Sequence, residues 1–383
     1  MPPILITHRM PHSRRPSLFR IAVAIAILIA AGFFLMRAFR HGTDSEADGE
    51  GGSRARTTSV RKGPEEIGLY FSHTYENNPG KAQIDRDNID LHMIAFIGKA
   101  RATLDGALFE LESRGIADAL VAARDRGVRI RLVADGDYRE NPDMARIVEA
   151  GIDVVFDERS ALMHNKFLIA DGERIWTGSF NATDNCSYRN NNNAIEVPSR
   201  ELAENYTTEF DEMFSHRSFG PRSTSQAPHS PVRVGEAEFY SYFSPEDDVP
   251  TKITRIIRLA RRSVRFMAFS FSDRDIAAAM LARAKEGVQV EGVVETTGSK
   301  GARSVTDDLM REGIDILRDG NRYLMHQNVI VVDGLWTITG SYNFSASAAR
   351  SNDENILIVK SAGVAKVYEE EYQRIRAMAE AAR

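Results

Sequence analysis

Two stretches of this sequence decide its fold, because they repeat one pattern. Residues 163–184 read MHNKFLIADGERIWTGSFNATD, and residues 325–346 read MHQNVIVVDGLWTITGSYNFSA. At an offset of 162 the two stretches share a histidine, an aspartate, a Gly-Ser pair and an asparagine. The matched residues are His164 with His326, Asp171 with Asp333, Gly178 with Gly340, Ser179 with Ser341, and Asn181 with Asn343. Core packing would not keep polar side chains at the same places twice, so the repeat indicates a shared chemical role.

The duplication extends upstream of these stretches. Residues 100–135 align without a gap with residues 260–295 at an offset of 160. In each copy a helical pattern ends at a glycine, Gly127 or Gly287, and a β-branched run follows. A helix stop followed by a strand is typical of an α/β unit, so we predict two similar α/β halves.

Composition changes along the chain place the boundaries of these halves. We predict a basic tail over residues 1–20, a membrane segment over 21–40 and a flexible tether over 41–63. The two halves then cover residues 64–216 and 237–383. The intervening residues 217–236 are rich in Pro, Ser and Arg and are predicted to be a linker.

The apolar segment of residues 21–36 predicts attachment to a membrane. Its sixteen uncharged residues would span roughly 24 Å as a helix, which is marginal against a hydrocarbon core of roughly 30 Å. A cleaved signal peptide is the alternative, although the apolar run continues past the small residues at 30–32. Arginines flank the amino-terminal side more heavily, so the catalytic body is expected outside the cytoplasm, either anchored to the membrane or, after cleavage, secreted.

Charge and cysteine content exclude some classes of protein. The net charge of −5 combines +6 over residues 1–62 with −11 over the rest, and an acidic body does not favour a dedicated nucleic-acid-binding module. Cys186 is the single cysteine, so an internal disulfide framework and a cysteine-rich zinc site are excluded. We expect neither a metal nor another cofactor, and nothing in the sequence predicts the oligomeric state.

The repeated residues suit an attack on a phosphodiester. In-line displacement at phosphorus needs a nucleophile on one side and a proton donor on the other, and one histidine from each half supplies this pair. Lys166 lies two residues after His164 on a predicted strand, so both side chains point to the same face. Donors that could hold the phosphoryl oxygens are Lys166, Ser179, Asn181, Asn328, Ser341 and Asn343.

These residues resemble the duplicated HxKxxxxD motif of the phospholipase D superfamily, followed by a Gly-Ser pair and an asparagine. The resemblance covers residues 64 to about 380. It implies two α/β/α sandwich halves packed about a pseudo-twofold axis, a covalent phosphohistidine and catalysis without a metal. It also places Asp171 and Asp333 in the catalytic set, although their odd spacing from the histidines predicts that they brace strand ends.

The sequence departs from the family pattern at two places. Asn328 stands where the second motif carries lysine, so one positive charge is missing. The family also places an acid downstream of each motif to orient its histidine. Glu354 fits this role in the second half. In the first half the matching residue is Asn192, and Glu196 is a substitute four residues later.

Four functions remain open, in decreasing order of preference. Hydrolysis of phospholipid head groups leads, because the membrane segment would bring the site to lipid. A nuclease of the same superfamily comes second, and only this alternative requires nucleic acid as a partner. A phosphatidyl transferase resembling cardiolipin synthases and an inactive lipid- or phosphate-binding module follow.

Overall fold

The computed structural model describes residues 58–62, 65–75, 78–224, 227–299 and 304–383. The predicted tail and membrane segment lie outside these residues. Within them, no helix combines the length and apolar character needed to cross a membrane.

The first half is built on a mixed eight-stranded sheet with the order β1-β2-β10-β8-β7-β3-β5-β6, beside a two-stranded pair of β4 and β9. Its strands are β1 (Thr58–Lys62), β2 (Glu65–Phe71), β3 (Thr103–Leu108), β4 (Leu111–Glu112), β5 (Arg129–Asp135), β6 (Asp153–Asp157), β7 (Lys166–Ala170), β8 (Arg174–Gly178), β9 (Ala182–Thr183) and β10 (Asn193–Pro198). Its helices are α1 (Pro79–Gln83), α2 (Ile89–Lys99), α3 (Arg114–Asp125), α4 (Pro142–Glu149), α5 (Asp184–Tyr188) and α6 (Arg200–Phe214).

The second half repeats this sheet with the order β11-β12-β18-β17-β16-β13-β14-β15. Its strands are β11 (Val232–Val234), β12 (Ala237–Ser244), β13 (Ser263–Ala268), β14 (Gln289–Val294), β15 (Asp315–Arg318), β16 (Asn328–Val332), β17 (Trp336–Gly340) and β18 (Glu354–Lys360). Its helices are α7 (Val249–Arg258), α8 (Arg274–Lys285), α9 (Thr306–Arg311), α10 (Ala346–Arg350) and α11 (Ala362–Ala381). The matching strand orders confirm the predicted duplication.

The two helices that were predicted to end at a glycine do end there. Helices α3 and α8 end two residues before Gly127 and Gly287, whose φ angles are 93° and 87°. Glycine adopts this left-handed conformation without a steric penalty, so each helix can turn directly into the next strand. The central strands β7 and β16 are buried at every position, as expected for strands that are covered on both faces.

The core of the described residues forms three hydrophobic clusters, one of which joins the two halves. One cluster lies within each half, under its outer helices. The third contains residues of both sheets together with α6 and α11, for example Phe71, Tyr206, Phe239 and Tyr368. These two helices therefore form the layer between the sheets and fix the halves against each other.

Two predicted boundaries are wrong. Strand β1 lies within the predicted tether of residues 41–63, and β11 lies within the predicted linker of residues 217–236. Each pairs antiparallel with the next strand and extends the edge of its sheet. Polar composition favoured a loop at both places, but the backbone pairing at a sheet edge outweighs that local preference.

Candidate active site

The two motif histidines come together because the segments before β7 and β16 each pair with the opposite half. Met163 forms a parallel bridge with Asp353, and Met325 forms one with Asn191. The His164 amide donates to the Asp353 carbonyl at 2.8 Å, and the His326 amide donates to the Asn191 carbonyl at 2.9 Å. Both imidazoles are buried at this seam between the halves, so we assign them to one site.

His164 is held by a carboxylate from the second half. Its Nδ1 lies 2.7 Å from Oε2 of Glu354, which is fully buried. The hydroxyl of Ser341 donates to the same carboxylate at 2.7 Å, and Nδ2 of Asn352 donates to it at 3.1 Å. The assignment of Glu354 to the histidine of its own half is wrong, because the first residue of β18 faces the opposite half.

His326 is held in the same way by an amide from the first half. Its Nδ1 lies 3.0 Å from Oδ1 of Asn192. The Asn192 Nδ2 donates to the carbonyl of Cys186 at 3.2 Å, so the amide oxygen must face the histidine. Asn192 was expected to orient His164, and this expectation is wrong for the same reason as for Glu354.

Glu196 does not take part in the site. Although buried, its carboxylate accepts hydrogen bonds from Lys99 at 3.0 Å, Arg174 at 2.8 Å and Tyr70 at 3.2 Å. Its predicted role as a substitute orienting acid is therefore wrong. Four residues along β10 carry it away from the end of the strand where Asn192 lies.

Lys166 places the positive charge of the first motif in the site. Its Nζ donates to the His164 carbonyl at 2.9 Å and lies 4.9 Å from the centre of the Phe109 ring. The same ring contacts His164 edge-on, with 4.7 Å between ring centres. Burial lowers the pKa of Lys166 to about 8, because desolvation disfavours the ammonium.

Asn328 occupies the matching place in the second half with only 2% of its surface exposed. Its Nδ2 donates to the Ser341 carbonyl at 3.3 Å, which directs Oδ1 away from that carbonyl. This oxygen is buried and receives no hydrogen bond from the residues that the structure describes. The second half therefore presents an amide where the first half presents an ammonium.

The serines of the Gly-Ser pairs hold the orienting groups. Ser179 donates to the Asn192 oxygen at 3.2 Å, as Ser341 does to Glu354. Both hydroxyls are therefore engaged with the orienting groups, and their binding of phosphate stays a prediction. The preceding glycine makes the contact feasible: a Cβ on Gly178 would lie 2.3 Å from a backbone oxygen of β10.

The motif asparagines share one feature, a side-chain oxygen that receives no hydrogen bond from the described residues. Asn181 is buried and donates from Nδ2 to Oε1 of Glu110 at 2.7 Å, while its own oxygen receives no hydrogen bond from the described residues. The Asn343 oxygen, also without such a donor, is in the matching position of the second half. Glu110 was not predicted to be a site residue. The alignment of the two halves could have indicated it, because this charged residue aligns with the uncharged Ser270.

The motif aspartates lie outside the site. The Asp171 carboxylate accepts from the backbone amides of residues 101–103 at 2.7–3.2 Å. Asp333 accepts from those of residues 261–263 at 2.8–2.9 Å. These bonds lower the pKa of both carboxyls. This geometry agrees with the prediction, made from spacing, that both aspartates brace strand ends. The placement of Asp171 and Asp333 in the catalytic set is therefore corrected.

Charge is distributed unevenly between the two histidines. An ion pair of Arg159 with Asp353 lies beside the His164 segment, while Asn321 and Asn191 form a neutral amide pair beside His326 at 2.6 Å. Burial lowers the pKa of both histidines, and for His326 Lys166 and His164 lower it further, to about 3. For His164 the charge of the Glu354 carboxylate acts against burial and raises the pKa. The imidazolium of His164 is therefore better stabilised than that of His326.

The described residues contain no group of three or more His, Cys, Asp or Glu side chains arranged to hold a metal ion.

Comparison with known proteins supports the reading of the motifs. A family model described as "Cardiolipin synthase, PLD-like domain" matches residues 93–214 and 253–376, one segment in each half. Among solved structures, phosphatidylserine synthase from Haemophilus influenzae superposes with a TM-score of 0.58 over 75% of this chain and 83% of its own. Its sequence is 12% identical, so this likeness concerns the fold.

Curated relatives match about a third of the chain. A mitochondrial cardiolipin hydrolase from Chlamydomonas reinhardtii is 32% identical over 31% of this chain and 54% of its own length. A phospholipase D from Rickettsia bellii is 32% identical over 36% of this chain and 68% of its own length. This chain covers 61% of a Xenopus tropicalis protein that is also named mitochondrial cardiolipin hydrolase.

Proposed function

Because this chain belongs to the phospholipase D superfamily, we propose that it is a phosphodiesterase that hydrolyses phospholipid head groups through a phosphohistidine on His164. The observation that carries the proposal is the pair of imidazoles held from opposite halves, one by a carboxylate and one by an amide. The asymmetry gives each histidine a separate role.

His164 is suited to attack phosphorus. With its Nδ1 proton donated to Glu354, the Nε2 atom carries the lone pair that a nucleophile needs. Attack forms an N–P bond and leaves the ring with a positive charge. The carboxylate of Glu354 stabilises that charge, as the acid of a catalytic triad does for its histidine.

His326 is suited to protonate the leaving alcohol. When the P–O bond to the head group breaks, its Nε2 proton passes to the alkoxide oxygen. A neutral Asn192 holds this ring without stabilising its positive charge, so the imidazolium is a stronger acid than one beside a carboxylate. A bound phosphodiester anion offsets the charge of Lys166 and raises the pKa of His326, which supplies the protonated form when substrate is present.

Hydrolysis is completed by the reverse use of the same groups. His326 takes a proton from water, the hydroxide adds to phosphorus, and the N–P bond to His164 breaks to release phosphatidic acid. Lys166 and the Asn328 and Asn343 amides are the donors that would hold the phosphoryl oxygens.

The lipid substrate is supported by three observations. Relatives carry the names phospholipase D and cardiolipin hydrolase. The apolar residues 21–36 would hold the site beside a bilayer, with the body outside the cytoplasm. The acidic body favours neither DNA nor RNA.

Product analysis tests the proposal. The full-length protein in detergent is incubated with a mixed phospholipid extract and, separately, with single-stranded DNA, each with and without an added alcohol acceptor. We expect phosphatidic acid and free head group. DNA fragments alone would establish the nuclease, a new phosphatidyl ester formed without net hydrolysis would establish a transferase, and no product from either substrate would favour a binding module. Protease accessibility in intact cells tests the location of the body.

A further inference from the structure

Glu110 is a carboxyl group in the site that the duplicated motif does not account for. It lies two residues after the end of β3, is half-buried, and accepts a 2.7 Å hydrogen bond from the Asn181 amide. Lys166 pairs across the sheet with Leu108, and its Nζ lies 4.9 Å from the ring centre of Phe109, the residue before Glu110, so the two charged groups are close. A carboxylate therefore lies beside the lysine that would bind the phosphate.

The second half lacks this arrangement altogether. Ser270 aligns with Glu110 at an offset of 160, and Asn328 aligns with Lys166 at 162. Both charges of the first half are thus replaced by neutral groups in the second. When Glu110 is ionised it offsets the positive charge that Lys166 brings to the phosphate position.

We propose that Glu110 is a specificity-determining residue, which lets the site accept an isolated phosphodiester and disfavours a strand that carries neighbouring phosphates. The inference rests on the proposed function and deepens it, because it explains how a superfamily fold shared with nucleases would select lipid. One phosphodiester brings one charge for Lys166 to balance. A nucleic-acid strand brings further phosphates, which require further cations.

The surroundings of Glu110 strengthen this effect. Exposed Glu112 lies two residues away and adds negative charge that Glu110 senses. Phe109 and half-buried Tyr138 pack edge to face beside it, with 4.9 Å between ring centres, and contribute no cation. Burial raises the pKa of Glu110 to about 7, so the carboxylate is ionised above neutral pH and the discrimination is expected to be strongest there.

The test compares Glu110→Gln with Glu112→Gln in the full-length protein. Glutamine keeps the oxygen that accepts from Asn181 and removes only the charge, while the Glu112 variant removes a neighbouring exposed charge. Fluorescence anisotropy measures the binding of a short single-stranded oligonucleotide at pH 8 and low salt. Parallel assays give kcat/KM for DNA cleavage and for bis(p-nitrophenyl) phosphate.

We expect Glu110→Gln to tighten oligonucleotide binding about tenfold and to raise the ratio of DNA cleavage to small-substrate hydrolysis by a similar factor, with a much smaller change for Glu112→Gln. Unchanged binding in Glu110→Gln, or an equal change in both variants, would overturn the inference. Thermal melting checks folding, and Glu110→Ser, which copies the second half, replaces the glutamine variant if that one does not fold.

Failure of the proposed function would be distinguishable from failure of this inference. If the native protein hydrolyses neither lipid nor the small phosphodiester, the proposed function is wrong. The binding comparison still decides the role of Glu110, because it needs no turnover.

Discussion

Nδ1 of His164 lies 2.7 Å from Oε2 of Glu354, a residue 190 positions later in the chain and in the other half of the fold. The reciprocal contact joins His326 to Asn192. Neither half therefore contains a complete histidine site, and each supplies the group that orients the other's histidine. Because one orienting group is a carboxylate and the other an amide, the two histidines are expected to respond differently to substitution.

Chemical trapping should identify His164 as the nucleophile. Acid-quenched protein incubated with a phosphate-labelled substrate that carries a good leaving group should retain label in the native protein and in His326→Ala, because such a leaving group needs no proton donor. His164→Ala should retain none. Label in His164→Ala would reverse the two roles.

Replacement of Glu354 by glutamine should lower kcat by about a thousandfold or more. A carboxylate that orients a catalytic histidine and stabilises its imidazolium contributes to the rate on that scale. The small-phosphodiester assay measures this loss. Glu370→Gln, an exposed change on α11, is the control and should have little effect. A loss of less than tenfold in Glu354→Gln would show that the neutral amide suffices.

Replacement of Asn192 by aspartate should change the pH dependence. A negative charge beside His326 favours the imidazolium and raises its pKa from the low value that burial imposes. The alkaline limb of the kcat profile, where the acid of the enzyme–substrate complex loses its proton, should therefore move up by about one pH unit or more. Asn185→Asp, an exposed change in α5, should leave the limb in place. An unmoved limb in Asn192→Asp would mean that His326 is not the acid.

The two motif positions that differ in charge should respond unequally. Asn328→Lys restores the second positive charge and should raise turnover on a simple phosphodiester, whereas Lys166→Asn should nearly abolish it, because one preorganised donor contributes about a hundredfold to a thousandfold. Thermal melting of both variants checks their folding. Equal losses from both changes would contradict this division of roles.

Activity should persist in excess EDTA. Lys166 and the site amides can carry the phosphoryl charge, and the sequence shows no spacing typical of a two-metal phosphodiesterase. The measurement is hydrolysis after extended dialysis against chelator. A complete loss that added metal restores would contradict the phosphohistidine mechanism.

The sequence alone determined the duplication, the succession of helix and strand before each motif and the set of motif residues. These features are local: the residues of each motif lie within about twenty positions, and the alternation of a strand fixes which of them share a face. The prediction that Asp171 and Asp333 brace strand ends followed from the same alternation of side chains. Glu110 could also have been noticed from the sequence, since it aligns with an uncharged serine.

Only the tertiary structure decided which group orients which histidine. Glu354 is 28 residues from His326 and 190 from His164, so spacing favours the wrong partner. The correct partner is set by how α6, α11 and the central hydrophobic cluster pack the two sheets together, which brings the loops before β10 and β18 across to the opposite half. Contacts between halves depend on that packing, and no local pattern in the chain encodes them.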